Sequence, residues 1–590
     1  MRRDPVLAIV LVAFTILVVW AGAPEIIDYD SAQFALALEQ HDMRLHQPHP
    51  PGFVLYAWIA EFVHAFVGDA YASLRIVAVL MLLAAAVIVH RLASAAYDGS
   101  TARLTTLLLL SSPLVLFHGL TTMTYPAEAL AAALSGYLCF RAQDKGTPDL
   151  KFVAFLVGLL GGLRQTVLVF TLPLLILTVR RAGLGYRGVA LTALAWLLGV
   201  LAWLVPQIEH AGGPGSYFQA NLTLQTHVFA TSPLQKGWPS LQVHLHRGVT
   251  VLVLGLGGAR LLALLGGALF RAWPRRADPP GLGGAAGPRG LDGRFFLAWM
   301  LPPVLLFAFY HFPKSGYALA LWPGVCIAVA HFVRRRFTSP RGTLPVGAGA
   351  LLGIVGLLDL VIFFVVPATR LQGMAPGVAA RSHFEEAADP RRDGSASFWS
   401  RLQEAPPAVL RTAQIVFGRV DFFFDRTRGF AFGGMAESLR KAGFPRDDTL
   451  LLGQDATRAL CQLLPMQLVI HADPLRPYPF LRYRGRRAEQ IEEPFEVPDG
   501  IRWLLVEGNR GSMRFARDAD LPEHQEALPP ALRRRFHLFE IGERRLDAWF
   551  VPRAVEGSDP IRLRLVRDAR PEDPVEANTT QSLRASRRTR

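Results

Sequence analysis

The sequence predicts an α-helical multi-pass membrane protein with about eleven transmembrane helices and a C-terminal extracytoplasmic α/β domain. Three observations carry this. The 590 residues are 51% hydrophobic and their mean hydropathy is +0.28, more apolar than a soluble chain of this length divided into several cores. The apolar residues come in blocks, most of them near the ~20 residues that cross a hydrocarbon core. Lysine and arginine crowd into every second loop between those blocks.

The first block, in MRRDPVLAIVLVAFTILVVWAGAP, has a basic flank. Its apolar stretch outruns a signal-peptide core and no cleavage site is evident, so it reads as an uncleaved first helix. Further crossings follow near 71–91, 101–120, 125–141, 151–163, 166–180, 188–205, 247–271, 295–310, 317–333 and 345–366. The pair at 151–163 and 166–180 is short and shares the polar apex GGLRQT, which also suits a hairpin that does not fully span.

Orientation comes from the loops. MRRD, RLASAAYDGSTAR, RAQDKGTPDLK, RRAGLGYR, the Gly/Pro/Arg loop RAWPRRADPPGLGGAAGPRGLDGR and RRRFTSPRGT carry most of the basic residues and belong in the cytoplasm. The opposite set comprises the first loop, HGLTTMTYPAE, the GGLRQT apex, the segment from Pro206 to Arg247, HFPKSGY and everything after Pro367. The formal net charge of +15 is explained by this alternation, which argues against nucleic acid as a partner. The Gly/Pro/Arg loop reads as a flexible linker, and its glycines neither follow a strand nor open a helix, so it is a poor phosphate cradle.

The domain plan is therefore a transmembrane domain over 1–366, a linker over 367–394, an extracytoplasmic α/β domain over 395–570 and a disordered tail over 571–590. Within the outer domain, DTLLLGQDATRALCQLLPMQLVI reads as strand, helix and apolar run, while GIRWLLVEG, RFHLFEIG and RLDAWFVP read as strands. Cys139 and Cys326 fall in apolar blocks and Cys461 stands alone, which gives neither a disulfide framework nor a zinc motif.

Ionisable groups at a membrane cost free energy, so they are candidates for function. All the candidates fall on the outer side: Asp28, Asp30, Gln33, His46 and His49 in the first loop, Tyr125 and Glu128 at the fourth helix, Arg164 at the hairpin apex, and Lys314 and Tyr317 before the tenth helix. Carboxylates and cations on one face suit removal of a group from a phosphate: a carboxylate takes the hydroxyl proton, and cations stabilise charge on the leaving group.

Each candidate also has a plainer reading. Asp30 fits a helix N-cap with Gln33 reaching back to it. Glu128 fits a first-turn acid favoured by the helix dipole. Arg164 fits a snorkelling cation, although its place between two apolar arms calls for an anion or carbonyls as partners. HPPG fits a turn that lays FVLYAWIAEFVHAF on the membrane surface. His41, His46 and His49 with the two aspartates match no tight zinc spacing, and a divalent metal remains a possible cofactor with none certain.

The motifs together resemble a family. D-S-x-x-F followed by H-P-P-G resembles the opening loop of GT-C-fold glycosyltransferases, integral membrane enzymes that include protein O-mannosyltransferases and lipid A aminoarabinose transferases. TYPAEAL, the GLRQT apex and the Lys/Tyr segment leading into ALALWPG are similar too, over roughly residues 5–366. The resemblance implies a polyprenyl-phosphate sugar as donor, inversion at the anomeric carbon, and a protein, lipid or glycan hydroxyl as acceptor. It gives the base role to Asp30, with Asp28 second, and substrate binding to His49, Arg164, Glu128, Lys314, Tyr317 and Gln33. The most similar branch has Gly and Glu where this chain has Ala32 and Gln33, so position 33 hydrogen-bonds here but exchanges no proton. A transporter or flippase is the rival class, but no repeat relates the two halves and the unusual residues gather at one edge. An outer-domain sensor would not need so many crossings.

Overall fold

The computed structural model describes residues 4–21, 29–143, 149–257, 290–310, 315–337 and 356–357, and from 435 to 568 all but short segments (437, 442, 444–446, 455–456, 458–459, 461–467, 473–478, 485–486, 509, 517–520, 531, 534 and 555–559). Asp28, Lys314, most of the eleventh crossing, the linker 367–394 and the tail 571–590 lie outside the described residues. The chain divides into two compact units, one of Met1–Pro24, Phe53–His210 and Gln225–Arg426, the other of Glu25–Gly52, Ala211–Leu224 and Thr427–Arg590.

The first unit is helical. Its described helices are α1 (Pro5–Ala21), α3 (Val54–Val67), α4 (Ala70–Ala96), α5 (Gly99–Leu110), α6 (Pro113–Leu120), α7 (Tyr125–Arg141), α8 (Leu150–Leu159), α9 (Thr166–Ala182), α10 (Tyr186–His210), α12 (Pro233–Lys236), α13 (Trp238–Leu256), α14 (Gly293–Phe309) and α15 (Trp322–Phe337). Helix α2 (Tyr29–Ala37) and the first part of α11 (Pro214–Thr231), as far as Leu224, belong to the second unit. Among the described residues, α4 and α10 are each long and apolar enough to cross a membrane. Helices α5 and α6 are long and apolar enough only when taken together, and they are bent by 55° at the break between them, the geometry of a broken span or a re-entrant loop. The single crossing expected over 101–120 is thus broken, because Pro113 lacks the N–H that would continue the ladder.

Exposed apolar side chains coat the outside of these helices, among them Ile9, Val12 and Ile16 on α1, Phe62 and Phe66 on α3, and Leu297 and Leu301 on α14. A bilayer is the solvent such a surface fits.

Caps and ion pairs gather at one end. Asp98, Asp149 and Asp292 each N-cap a helix, accepting from Thr101 N (2.8 Å), Lys151 N (2.9 Å) and Phe295 N (2.8 Å). Arg103 Nε donates to Asp4 Oδ2 at 2.8 Å. Arg181 donates to Gln143 Oε1 at 2.9 Å and to Asp292 Oδ2 at 2.6 Å. Arg334 lies 3.7 Å from Asp98, and Tyr97 stacks on His331 while its hydroxyl reaches Leu291 O at 3.5 Å. These contacts join all six loops that the charge pattern groups on one side.

The second unit carries two sheets. Strands β1 (Thr449–Gly453), β2 (Leu468–Ala472), β3 (Phe480–Arg484), β4 (Arg487–Gln490), β6 (Trp503–Glu507) and β8 (Phe536–Glu540) form one in the order β4-β3-β2-β1-β6-β8. In it β1 runs parallel to both β2 and β6, with Leu451 opposite Val469 and Leu505. Strands β5 (Phe495–Glu496), β7 (Met513–Phe515), β9 (Leu546–Phe550) and β10 (Leu563–Arg567) form the other, ordered β5-β10-β9-β7. The strands expected from TLLLG, WLLVE, FHLFE and LDAWF are β1, β6, β8 and β9, and the apolar run ending in LVI is β2. The helix-like run between β1 and β2 is helical at Thr457 and Leu460.

The first loop is built into this unit. Leu36 of α2 and Leu45 share one buried core with Leu451, Val469, Leu481, Tyr483 and Leu505 of the larger sheet. Gln40 Oε1 accepts from Ala488 N on edge strand β4 at 3.1 Å, which satisfies an otherwise open edge donor. Arg44 pairs with Asp42 at 2.6 Å, and its side chain lies against Gly212.

Candidate active site

Within the helical unit, three segments that the sequence puts on the outer face meet at Arg164. Tyr125 and Pro126 open α7, where a proline costs no hydrogen bond, and set Glu128 in the first turn. A short 3-10 turn, Leu160–Gly162, ends α8 and delivers Arg164 ahead of α9. A Cβ on Gly162 would stand 2.7 Å from Trp203 Cβ, so only glycine lets this turn lie against α10. A second 3-10 turn, Ser315–Ala320, brings Tyr317 in beside α7. Gly316 lies flat on the Tyr125 ring where any side chain would collide.

Arg164 and Glu128 are both buried, with side chains 8% and 0% exposed, and Arg164 Nε sits 2.7 Å from Glu128 Oε1. Arg164 Nη1 donates to Thr124 Oγ1 at 2.7 Å, and Thr166 Oγ1 donates to Glu128 Oε1 at 2.9 Å. The guanidinium carbon lies 4.7 Å from the centre of the Tyr125 ring, 4.8 Å from Tyr317 and 5.4 Å from Phe53. Such distances fit cation–π attraction. Tyr317 stacks on Phe307 at 4.6 Å and meets Tyr125 edge-on at 5.2 Å. His118 packs edge-on to Tyr125 at 5.1 Å, with both ring nitrogens buried and lacking a hydrogen-bond partner.

Phe53, the residue after HPPG, has a left-handed backbone with φ 55°. The first N–H of α3, that of Val54, is capped from α10 by Gln207 Oε1 at 3.0 Å. This fixes the entry of the chain into α3 beside the Arg164 turn.

The remaining candidates lie in the second unit. Asp30 stands in the first turn of α2. Gln33 does not reach back: it is 1% exposed and its Oε1 has no hydrogen-bond partner. His49 packs edge-on against Phe34 at 5.6 Å. Asp42 organises the turn, accepting from Arg44 N at 2.9 Å and bridging to Gln47. Among the described residues no three of His, Cys, Asp and Glu come together to hold a metal ion.

The structure therefore joins Arg164, Glu128 and Tyr317 and adds Thr124, Thr166, Phe53 and His118 to them. The signal for the threonines lay in plain sight: Thr124 is one turn before Glu128 and Thr166 two residues after Arg164.

Residues 48–208 match the family profile described as dolichyl-phosphate-mannose-protein mannosyltransferase. The whole structure is similar to a crystal structure of ArnT from Cupriavidus metallidurans bound to undecaprenyl phosphate, with a TM-score of 0.51 and 13% identity over 90% of this chain and 97% of that one. The fold of the chain is that of this ArnT structure. ArnT from the same organism in the apo state gives a TM-score of 0.44 at 14% identity, over 79% of this chain and 85% of that one. No curated protein matches the chain.

Proposed function

We propose that this protein is a membrane glycosyltransferase that takes a sugar from a polyprenyl-phosphate donor and passes it, with inversion, to a hydroxyl acceptor outside the cytoplasm. A protein, lipid or glycan supplies that hydroxyl. The observation that carries the reading is Arg164: a buried guanidinium at the junction of three segments assigned to the outer face, in a chain whose fold is that of a protein crystallised with undecaprenyl phosphate. Lipid-phosphate recognition gives such an arginine a purpose.

In this reading the acceptor oxygen attacks the anomeric carbon while the bond from that carbon to the phosphate oxygen breaks. The hydroxyl proton passes to the Asp30 carboxylate, with Asp28 as the second choice of base, and the electron pair leaves with the phosphate. Arg164, with His49 and Lys314, holds the phosphate; Glu128, Tyr317 and Gln33 help place substrate. The N-terminus is cytoplasmic and the C-terminal domain lies outside, as at a bacterial inner membrane facing the periplasm. The lipid phosphate is a fair leaving group, so no strong general acid is needed.

Purified protein in nanodiscs, given a panel of polyprenyl-phosphate sugars and candidate acceptors, should release polyprenyl phosphate and glycosylate the acceptor. A flippase would leave the donor uncleaved. Asp30→Asn should abolish transfer without changing the melting midpoint; full turnover in that variant removes Asp30 as the base.

A further inference from the structure

The smaller sheet of the second unit packs one face against the larger sheet and turns the other outward, and residues alternate along its strands accordingly. On β9, Leu546, Ala548 and Phe550 are buried in one core with Leu452, Leu504 and Val506 of the larger sheet, while Asp547 and Trp549 face the other way. On β10, Leu563 and Leu565 enter that core and Arg564 is exposed. On β7, Met513 enters it and Arg514 is exposed.

Register lines three of the outward residues up. Trp549 stands opposite Arg514 on one side and opposite Arg564 on the other, with β9 inside the sheet between β7 and β10. Residues directly opposite in an antiparallel pair sit about 5 Å apart at Cβ, so Arg514, Trp549 and Arg564 form a strip with an indole at its centre. A tryptophan turned to a core buries a large area; here it is only half-buried, on the outward face.

The two arginines are held differently. Arg564 Nε and Nη2 donate to Asp547 Oδ1 and Oδ2, each at 3.0 Å, and the guanidinium carbon lies 5.7 Å from the centre of the Trp549 ring. Its fork is spent on Asp547, so Arg564 braces the indole. Arg514 is exposed, and no carboxylate among the described residues is paired with it. Arg562, two residues before Arg564 and so on the same face, is exposed too. Around the indole these three arginines outnumber Asp547, which Arg564 already neutralises. Glu496, opposite Val566 on edge strand β5, and Asp568, past the end of β10, lie farther along the sheet.

We propose that this strip binds an acidic saccharide. A sugar ring lies on the face of Trp549, its C–H groups against the negative face of the indole. A carboxylate or phosphate on the same glycan pairs with Arg514, whose planar fork matches either group. The choice of a saccharide over another anion rests on the transferase reading above and deepens it: the acceptor is an acidic glycan, and the outer domain holds its chain.

The full chain in nanodiscs of zwitterionic lipid is titrated by calorimetry with a short oligogalacturonate and with a phosphorylated glucan oligosaccharide. Each is compared with its neutral counterpart, the methyl ester or the unphosphorylated chain. At least one acidic chain should bind, and its neutral counterpart should bind roughly tenfold or more weakly. Arg514→Glu and Trp549→Ala should each weaken the acidic chain by roughly tenfold or more, as truncated Arg and Trp anchors do. Arg514→Gln, which removes the charge and little else, should weaken it several-fold, and Trp549→Phe, which keeps a ring, should retain most of the affinity that Trp549→Ala loses. No binding by the wild-type protein, equal binding of the neutral counterpart, or wild-type affinity in Arg514→Glu and Trp549→Ala overturns the strip. An acidic peptide or a single-stranded oligonucleotide that binds there more tightly than both saccharides overturns the choice of a glycan. Donor cleavage is not read in this titration, so a failed strip leaves the transferase reading standing, and a failed cleavage assay leaves the measured binding standing.

Discussion

Leu36 lies about 400 residues from the strands it packs against, and its truncation is the sharpest check on the second unit. The side chain is fully buried, at 0% exposure, in one core with Leu451, Val469, Leu481 and Leu505. Truncating a buried leucine to alanine costs ~2–5 kcal/mol, the transfer of the lost methyls plus the cavity left behind. The lower figure applies if α2 collapses toward the sheet, the upper if Gln40 and the Asp42–Arg44 turn hold it in place. Strands β1 and β2 open locally or with the whole unit, so Leu36→Ala should raise their opening constant by a factor of roughly 30 to several thousand. Hydrogen exchange of the intact protein in nanodiscs reads this strand by strand. Protection should fall at Leu450–Leu452 and Leu468–Ile470 while the amides of α4 and α10 keep theirs. If the β1 and β2 amides exchange as in the wild type, the first loop is not part of that core.

Gly316→Ala drives a methyl into the Tyr125 ring and should cost about 1–3 kcal/mol by overpacking; the melting midpoint should drop, and Tyr125→Ala in the same chain should recover it if the ring is the obstacle. At the other end of the bundle, the hydrogen bond from Arg181 holds the Asp292 carboxyl below the usual carboxylate range, against a smaller opposing effect of burial. Its contribution is present above the unfolded value near ~3.9 and is lost as pH falls through the lower folded value, so acid should loosen the start of α14 only below about pH 4. Asp292→Asn should erase that acid step in a pH series of melting midpoints, and an unchanged step would assign it to another group.

Much of this was legible because the signals are local. Block length and loop charge locate the helices, and short apolar runs locate β1, β6, β8 and β9. What escaped is of two kinds. The break at Pro113 hides in a leucine-rich run interrupted only briefly by Ser111, Ser112 and Pro113, and β4, β5 and β7 are too short or too polar to alternate visibly. The other kind is non-local. Leu36 looks like any apolar residue of an amphipathic turn, and nothing in its neighbourhood says that its partners lie in the tail. Glu128 and Arg164 each stood out as charges in apolar surroundings, yet their pairing depends on how α7 and the α8–α9 turn cross. Local pattern names the unusual residue; only the packing names its partner.

The shared core of the second unit constrains membrane topology without any appeal to charge. Leu36 and Leu45 from the first loop and Leu451 from the tail are buried in one cluster, and a hydrophobic core cannot be divided by a bilayer. Residues 29–52 and the strands from Thr449 onward therefore lie on the same side. Gly212, against Arg44, lies there too. On this argument the crossings between the first loop and Gly212, and those between Gly212 and β1, should each be even in number. The crossings expected from hydropathy number six and four in those intervals. Parity is also indifferent to the short α8–α9 hairpin, since two arms that both cross, or both turn back, change the count by an even number. Sidedness expected from arginine-rich loops and sidedness expected from buried leucines rest on independent physics. A reporter fused after residue 212 and one fused after the tail must then score alike, whichever compartment that is, and opposite scores would mean that the Leu36 core does not exist in the membrane.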